Sequence, residues 1–154
     1  MSGPIRRFAL VVASFALLVP AILQAQALPS PLERSGFQHV TPHDSLISYL
    51  QSLSTAFSRI TVEIIGKTVQ GRSIPMVRFT PTGPGPKIKV LLFCQQHGNE
   101  PSGKEAALML LGKLAGGGAA SAISNLDIYV IPSVNPDGNE AAKRANANGA
   151  DLNR

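Results

Sequence analysis

The sequence predicts an α/β fold on a mixed sheet, and three observations carry that expectation. Two β-branched runs, Ile60 to Ile65 and Ile74 to Phe79, lie close enough to pair as an antiparallel hairpin. Two nearly continuous apolar runs, Ile88 to Cys94 and Leu126 to Val134, have the pattern of strands covered on both faces. A leucine-rich helical stretch separates them, which is the order of a strand, helix, strand unit with a right-handed crossover. With 154 residues and 44% hydrophobic content, the chain suffices for one domain with a real core and not for two.

In chain order, Met1 to Ala27 begins with Arg6 and Arg7, continues with the apolar stretch Phe8 to Val19, and ends on Ala25-Gln26-Ala27. That order predicts a secretory signal peptide cleaved after Ala27. A stretch of twelve residues falls short of the roughly 20 that a helix needs to cross a bilayer, so a membrane anchor is disfavoured. Export predicts a secreted or periplasmic protein. Leu28 to Thr41 is rich in Pro and Ser without a period and reads as a linker; the domain is expected from residue 42 to 154.

From Asp44, taken as the N-cap, Leu46, Ile47, Leu50, Leu53 and Phe57 recur at three- and four-residue spacing and build the apolar stripe of a helix. Gly71 supplies the positive φ that the hairpin connection needs. Pro81 to Pro86, with two glycines inside it, reads as a surface loop. After the first buried run, Pro101 opens a helix through Leu108, Leu111 and Leu114 that stops at Gly116-Gly117-Gly118. These glycines form a loop and not a phosphate cradle.

The formal charge is +5, of which two come from Arg6 and Arg7, and the basic residues are scattered with only 5% aromatics among them. This argues against a nucleic-acid face. Cys94 is the only cysteine, which excludes a disulfide framework and a cysteine metal cluster and reads as a small buried hydrophobe. His39 and His43 lack partners at ligand spacing and are assigned no chemistry.

Both predicted sheet strands end in polar clusters, where open α/β folds bind ligands. Gln96-His97-Gly98-Asn99-Glu100 follows the first, with an imidazole and a carboxylate three residues apart at a strand-to-helix turn. Taken alone, His97 and Glu100 fit either a pair of ligands for one ion or a solvated turn with a helix-capping acid. Asn135-Pro136-Asp137-Gly138 follows the second, and then come Arg144, Asn146, Asp151, Asn153 and Arg154.

His-Gly-Asn-Glu, Asn-Pro-Asp-Gly and Asp-Leu-Asn-Arg in this order resemble the zinc carboxypeptidase family, as does the hairpin with Gly66-Lys67-Thr68 and Gly71-Arg72-Ser73. The likeness covers roughly residues 42 to 154. It implies a three-layer α/β/α zinc-peptidase fold with a mixed central sheet (phosphorylase/hydrolase-like), of which this chain carries the N-terminal part. It also implies one Zn2+ per complete domain, with His97 and Glu100 as two of its ligands.

In the same resemblance Arg144 stabilises the oxyanion of the attacked carbonyl, against the alternative of a surface cation in a polar loop. Asn153 and Arg154 grip the free terminal carboxylate of a peptide, for which a guanidinium fork is matched. Asp137 and Asp151 are expected to hold loop backbone or the neighbouring arginines and histidine. The family's third zinc histidine and its general-base glutamate lie after the Asp-Leu-Asn-Arg motif; no histidine follows His97 here and no glutamate follows Glu140. The 154 residues alone are therefore expected to be inactive and poorly stable, with an open sheet edge. The substrate implied is a peptide with a free C-terminal carboxylate, or a peptidoglycan peptide in the alternative of a murein peptide amidase. Deacylases resembling aspartoacylase rank third, and a noncatalytic carboxylate-binding module is the alternative of a different class.

Overall fold

A computed structural model describes residues 27–118 and 122–154. The expected signal peptide lies outside the described residues except for Ala27. No helix among the described residues is long and apolar enough to cross a membrane.

The elements run α1 (Pro31–Arg34), α2 (His43–Ala56), β1 (Ile60–Lys67), β2 (Ser73–Phe79), β3 (Ile88–Phe93), α3 (Ser102–Ala115), β4 (Leu126–Ile131) and α4 (Pro136–Glu140). The four strands form one mixed sheet in the order β1-β2-β4-β3, with β1, β2 and β4 antiparallel in turn and β3 parallel to β4. The α/β class and the mixed sheet are as the sequence predicts.

Period-two alternation decides which side of the sheet is covered. Val77, Phe79, Ile128 and Val130 point to one face and are buried with Leu46, Tyr49, Leu50 and Leu53 of α2 and Leu108, Leu111 and Leu114 of α3. The Tyr49 hydroxyl donates to the Leu28 carbonyl at 2.8 Å and to the Leu108 carbonyl at 3.3 Å, so the start of the described chain is tied to both helices. Burial pushes that phenol up to about 12.

Three local expectations are corrected. Ile88 to Cys94 is not covered on both faces: Ile88, Leu91 and Phe93 are all more than half exposed. Among the described residues β3 lies at the sheet edge, pairs only with β4 and has little packed over its outer side chains. Asp44 does not cap α2; the helix starts at His43, and its His43 N–H donates instead to the Glu140 carboxylate at 2.9 Å, 97 residues away. Leu28 to Thr41 is more structured than a linker: Ser30 and Glu33 form a capping box on α1, and Thr41 is buried with its N–H and hydroxyl on the Glu105 carboxylate at 2.8 and 2.7 Å.

On the face away from the helices, Asp127 accepts two bonds from Arg78 at 2.9 and 2.7 Å, one from Thr80 and one from Tyr129. The Arg78 hydrogen bonds hold its pKa down at about 2, against an ordinary 3.8. A carboxylate with a depressed folded pKa stabilises the fold above its unfolded pKa and loses that contribution as pH falls through its folded pKa. Asp127→Asn should therefore lower the thermal midpoint at neutral pH, and the gap to the wild type should shrink between pH about 4 and about 2. Midpoints recorded across that window check it; a gap independent of pH would sink it.

Candidate active site

The parallel pair β3 and β4 delivers two loops to the same end of the sheet. Cys94 N–H donates to the Ile131 carbonyl and Val134 N–H to the Cys94 carbonyl, at 2.9 and 3.1 Å, which extends the ladder just past the strands. Beyond it stand His97 on one loop and Asn135 on the other.

These loops approach so closely that glycine is required. A Cβ built on Gly98 would stand 1.9 Å from the Gly138 carbonyl carbon, and one on Gly138 would meet the Asn135 side chain at 2.5 Å and the Ala145 carbonyl oxygen at 2.7 Å. Asn135 pins the assembly: its side chain accepts from Gly138 N–H at 3.0 Å and donates to the Gln96 and Arg144 carbonyls, both at 3.2 Å. It is almost wholly buried. Truncating it leaves buried backbone groups without partners, a loss of about 1–3 kcal/mol. Asn135→Ala should cost that much in chemical denaturation.

His97 is buried and its ring bridges two carboxylates: Nδ1 lies 3.0 Å from Glu100 Oε2, and Nε2 lies 3.1 Å from Asp151 Oδ1. Arg144 closes the ring of contacts with Nε on Asp151 Oδ2 at 2.9 Å and a terminal nitrogen on Glu100 Oε1 at 3.0 Å. Asp151 is kept ionised, with its pKa lowered to about 2 by the Asn153 backbone N–H and then by Arg144 and His97. Each ring nitrogen of His97 thus faces a carboxylate, and the tautomer with hydrogen on Nε2 would leave the Nδ1 lone pair aimed at Glu100.

Two acceptors 3.0 Å apart repel unless a cation or proton stands between them. Two zinc ligands at about 2.1 Å in a tetrahedral site stand roughly 3.4 Å apart, so the donor types and spacing of His97 and Glu100 fit one Zn2+ with a small adjustment. Among the described residues no group of three or more such side chains forms a metal cluster.

Asn153 joins His97 and Glu100 in lining one cleft, together with Phe93, Gln95 and Gln96. Arg154 is exposed and is tied to this loop by its backbone N–H, which donates to the Asp151 carbonyl at 3.3 Å. The structure thus brings together His97, Glu100, Arg144 and Asp151, with Asn153 beside them; Arg154 stands outside that ring of contacts. Asp137 grips the hairpin loop, accepting from the Thr68 hydroxyl, the Gln70 N–H and Arg72 at 2.8, 3.1 and 2.7 Å. Burial alone would raise its pKa; those hydrogen bonds more than reverse this and lower it.

A family model described as zinc carboxypeptidase matches residues 46–154. The chain belongs to the zinc carboxypeptidase family. Among curated relatives, this zinc carboxypeptidase chain is 34% identical over 116 residues to carboxypeptidase E of Caenorhabditis elegans, covering 61% of this chain and 24% of the relative. It is 29% identical over 160 residues to carboxypeptidase 2 of Trichophyton rubrum, covering 95% and 30%. The metallo-carboxypeptidase from Burkholderia cenocepacia superposes with a TM-score of 0.63 at 26% identity, over 72% of this chain and 32% of that one. The chain spans about a quarter to a third of the length of these proteins.

Four residues that support this cleft carry no sequence signal of that role: Gln95, Lys104, Asn135 and Asn139. Asn135 was visible inside a motif but carried no chemistry of its own. Lys104 gave no signal, because a lysine within a helical pattern reads as solvated, whereas here it is 1% exposed.

Proposed function

We propose that this chain supplies part of the active site of an exported zinc metallocarboxypeptidase that removes C-terminal residues from peptides. The observation that carries the reading is the pairing of His97 Nδ1 with Glu100 Oε2 at 3.0 Å while Asp151 holds the far ring nitrogen. His97 and Glu100 would hold the ion, and groups outside these 154 residues would complete its ligand set and provide the general base. Bound there, zinc would polarise the scissile carbonyl and acidify a water.

The chain's own residues do the rest. Asp151 fixes the His97 tautomer and at the same time orients Arg144, whose permanently charged guanidinium suits an oxyanion in a dry site. Asn153 and Arg154 follow directly on that loop and receive the substrate's terminal carboxylate. The leader at Met1 to Ala27 sends the protein to the periplasm or outside the cell.

The test is a pair of peptides, one with a free C-terminus and one amidated, offered to the full-length protein that contains this chain. The amidated peptide should be turned over at least about 100-fold less efficiently, because the receiving cation and amide then lose their charged partner. Equal turnover would overturn the exopeptidase reading. Peptidoglycan stem peptides in the same assay separate a murein substrate from ordinary peptides.

A further inference from the structure

The backbone just before His97 is strained. Gln95 has φ of 53°, in the left-handed region that costs a residue with a Cβ about 1–2 kcal/mol. It is also buried, with 6% exposure, and its Oε1 has no hydrogen-bond partner. A long polar side chain in that position needs a reason, and its other end provides one.

Gln95 Nε2 donates to the Gly98 carbonyl at 3.0 Å and to Asn139 Oδ1 at 2.7 Å. The Gly98 carbonyl belongs to the turn between His97 and Glu100, and that turn is closed by the Glu100 N–H on the His97 carbonyl at 3.1 Å. Asn139 Oδ1 also accepts from Lys104 Nζ at 2.8 Å. Lys104, a buried ammonium, donates as well to the Thr41 carbonyl and lies 3.3 Å from Glu105. A continuous polar chain thus runs from α3 and Thr41 through Asn139 of α4 to the loop that carries the His97 and Glu100 donors.

We propose that Gln95 is a positioning residue for zinc: anchored by Asn139 and Lys104, its carboxamide holds the His97–Glu100 turn in the shape that brings Nδ1 and Oε2 together. The strained backbone is the cost of aiming that side chain at the turn. This rests on reading His97 and Glu100 as zinc ligands.

The experiment measures zinc affinity by titration, together with the thermal midpoint of the metal-free protein, for the wild type and four variants of the full chain. Gln95→Gly removes the carboxamide and relieves the strain, since glycine takes this φ freely. The relieved strain offsets the lost hydrogen bond to the Gly98 carbonyl, so the metal-free midpoint should stay close to the wild type, while zinc should weaken at least about 10-fold, the range expected when supports of metal ligands are removed. Asn139→Ala should weaken zinc similarly, while Asn139→Asp keeps an acceptor for both Gln95 and Lys104 but turns the bond donated to Glu140 at 2.9 Å into a contact between carboxylates, and should restore part of the affinity. His97→Ala controls for the reading itself.

Unchanged zinc affinity in Gln95→Gly, beside a clear loss in His97→Ala, would overturn the positioning role and leave the ligand assignment standing. Affinity losses that merely track a lowered metal-free midpoint would overturn it too. Wild-type affinity in His97→Ala would overturn the ligand assignment and the proposal together.

Discussion

His97→Ala is expected to reduce zinc affinity more than about 100-fold, since removing even a group that only supports a ligand costs 10–100-fold. Its effect on the metal-free fold should be small. His97 stands between Glu100 and Asp151, and both keep Arg144 as a charged partner when the imidazole is gone. Titration with Zn2+ next to thermal unfolding in a chelator checks both halves. The comparison with Asp151→Ala is informative, because that variant keeps both zinc donors and loses the carboxylate that holds the far ring nitrogen of His97, together with its bonds to Arg144 and the Asn153 N–H. It should fall between the wild type and His97→Ala. Binding by His97→Ala at the wild-type level would refute the ligand assignment.

Gly98→Ala is expected to be the most damaging small substitution in the described chain. The added carbon would sit 1.9 Å from the Gly138 carbonyl carbon and 2.3 Å from the Asn139 nitrogen, both backbone atoms with no rotamer to change. One whole loop has to move, with a loss of about 1–3 kcal/mol or more. The His97 turn then parts from Asn135 and Arg144, so stability and zinc affinity should fall together. Gly66→Ala is the control: nothing lies within 4 Å of its added carbon and its φ is ordinary, so it should stay within about ±0.5 kcal/mol. Equal denaturation midpoints for the two variants would refute the close-approach argument.

What the sequence made legible was local or periodic. The α2 stripe and the β1–β2 hairpin with positive φ at Gly71 follow from spacing and turn chemistry within a few residues. The strand ends could be located because apolar runs stop abruptly at polar clusters. The joint placement of His97, Glu100 and Arg144 follows from those ends lying on neighbouring parallel strands.

What stayed hidden depends on distant partners. Exposure of Leu91 and Phe93 is set by what lies beside β3, which its own residues do not encode. The capping of α2 by Glu140 spans 97 positions, so the nearer Asp44 looked like the better candidate. Lys104 and Asn139 become a pair only when α3 and α4 meet, and the strain at Gln95 has no mark in a string of letters.

The grip of Asp137 on the hairpin loop couples two parts of the chain in time as well as in space. A two-stranded ribbon zips up within microseconds on its own, yet Asp137 joins Thr68 and Gln70 from 69 and 67 residues downstream. The ribbon's tip therefore stays loose until the chain as far as Asp137 has been made and α4 has folded against it. A protease added early in refolding should nick the chain near Gln70, and the same bond should become resistant when α4 docks.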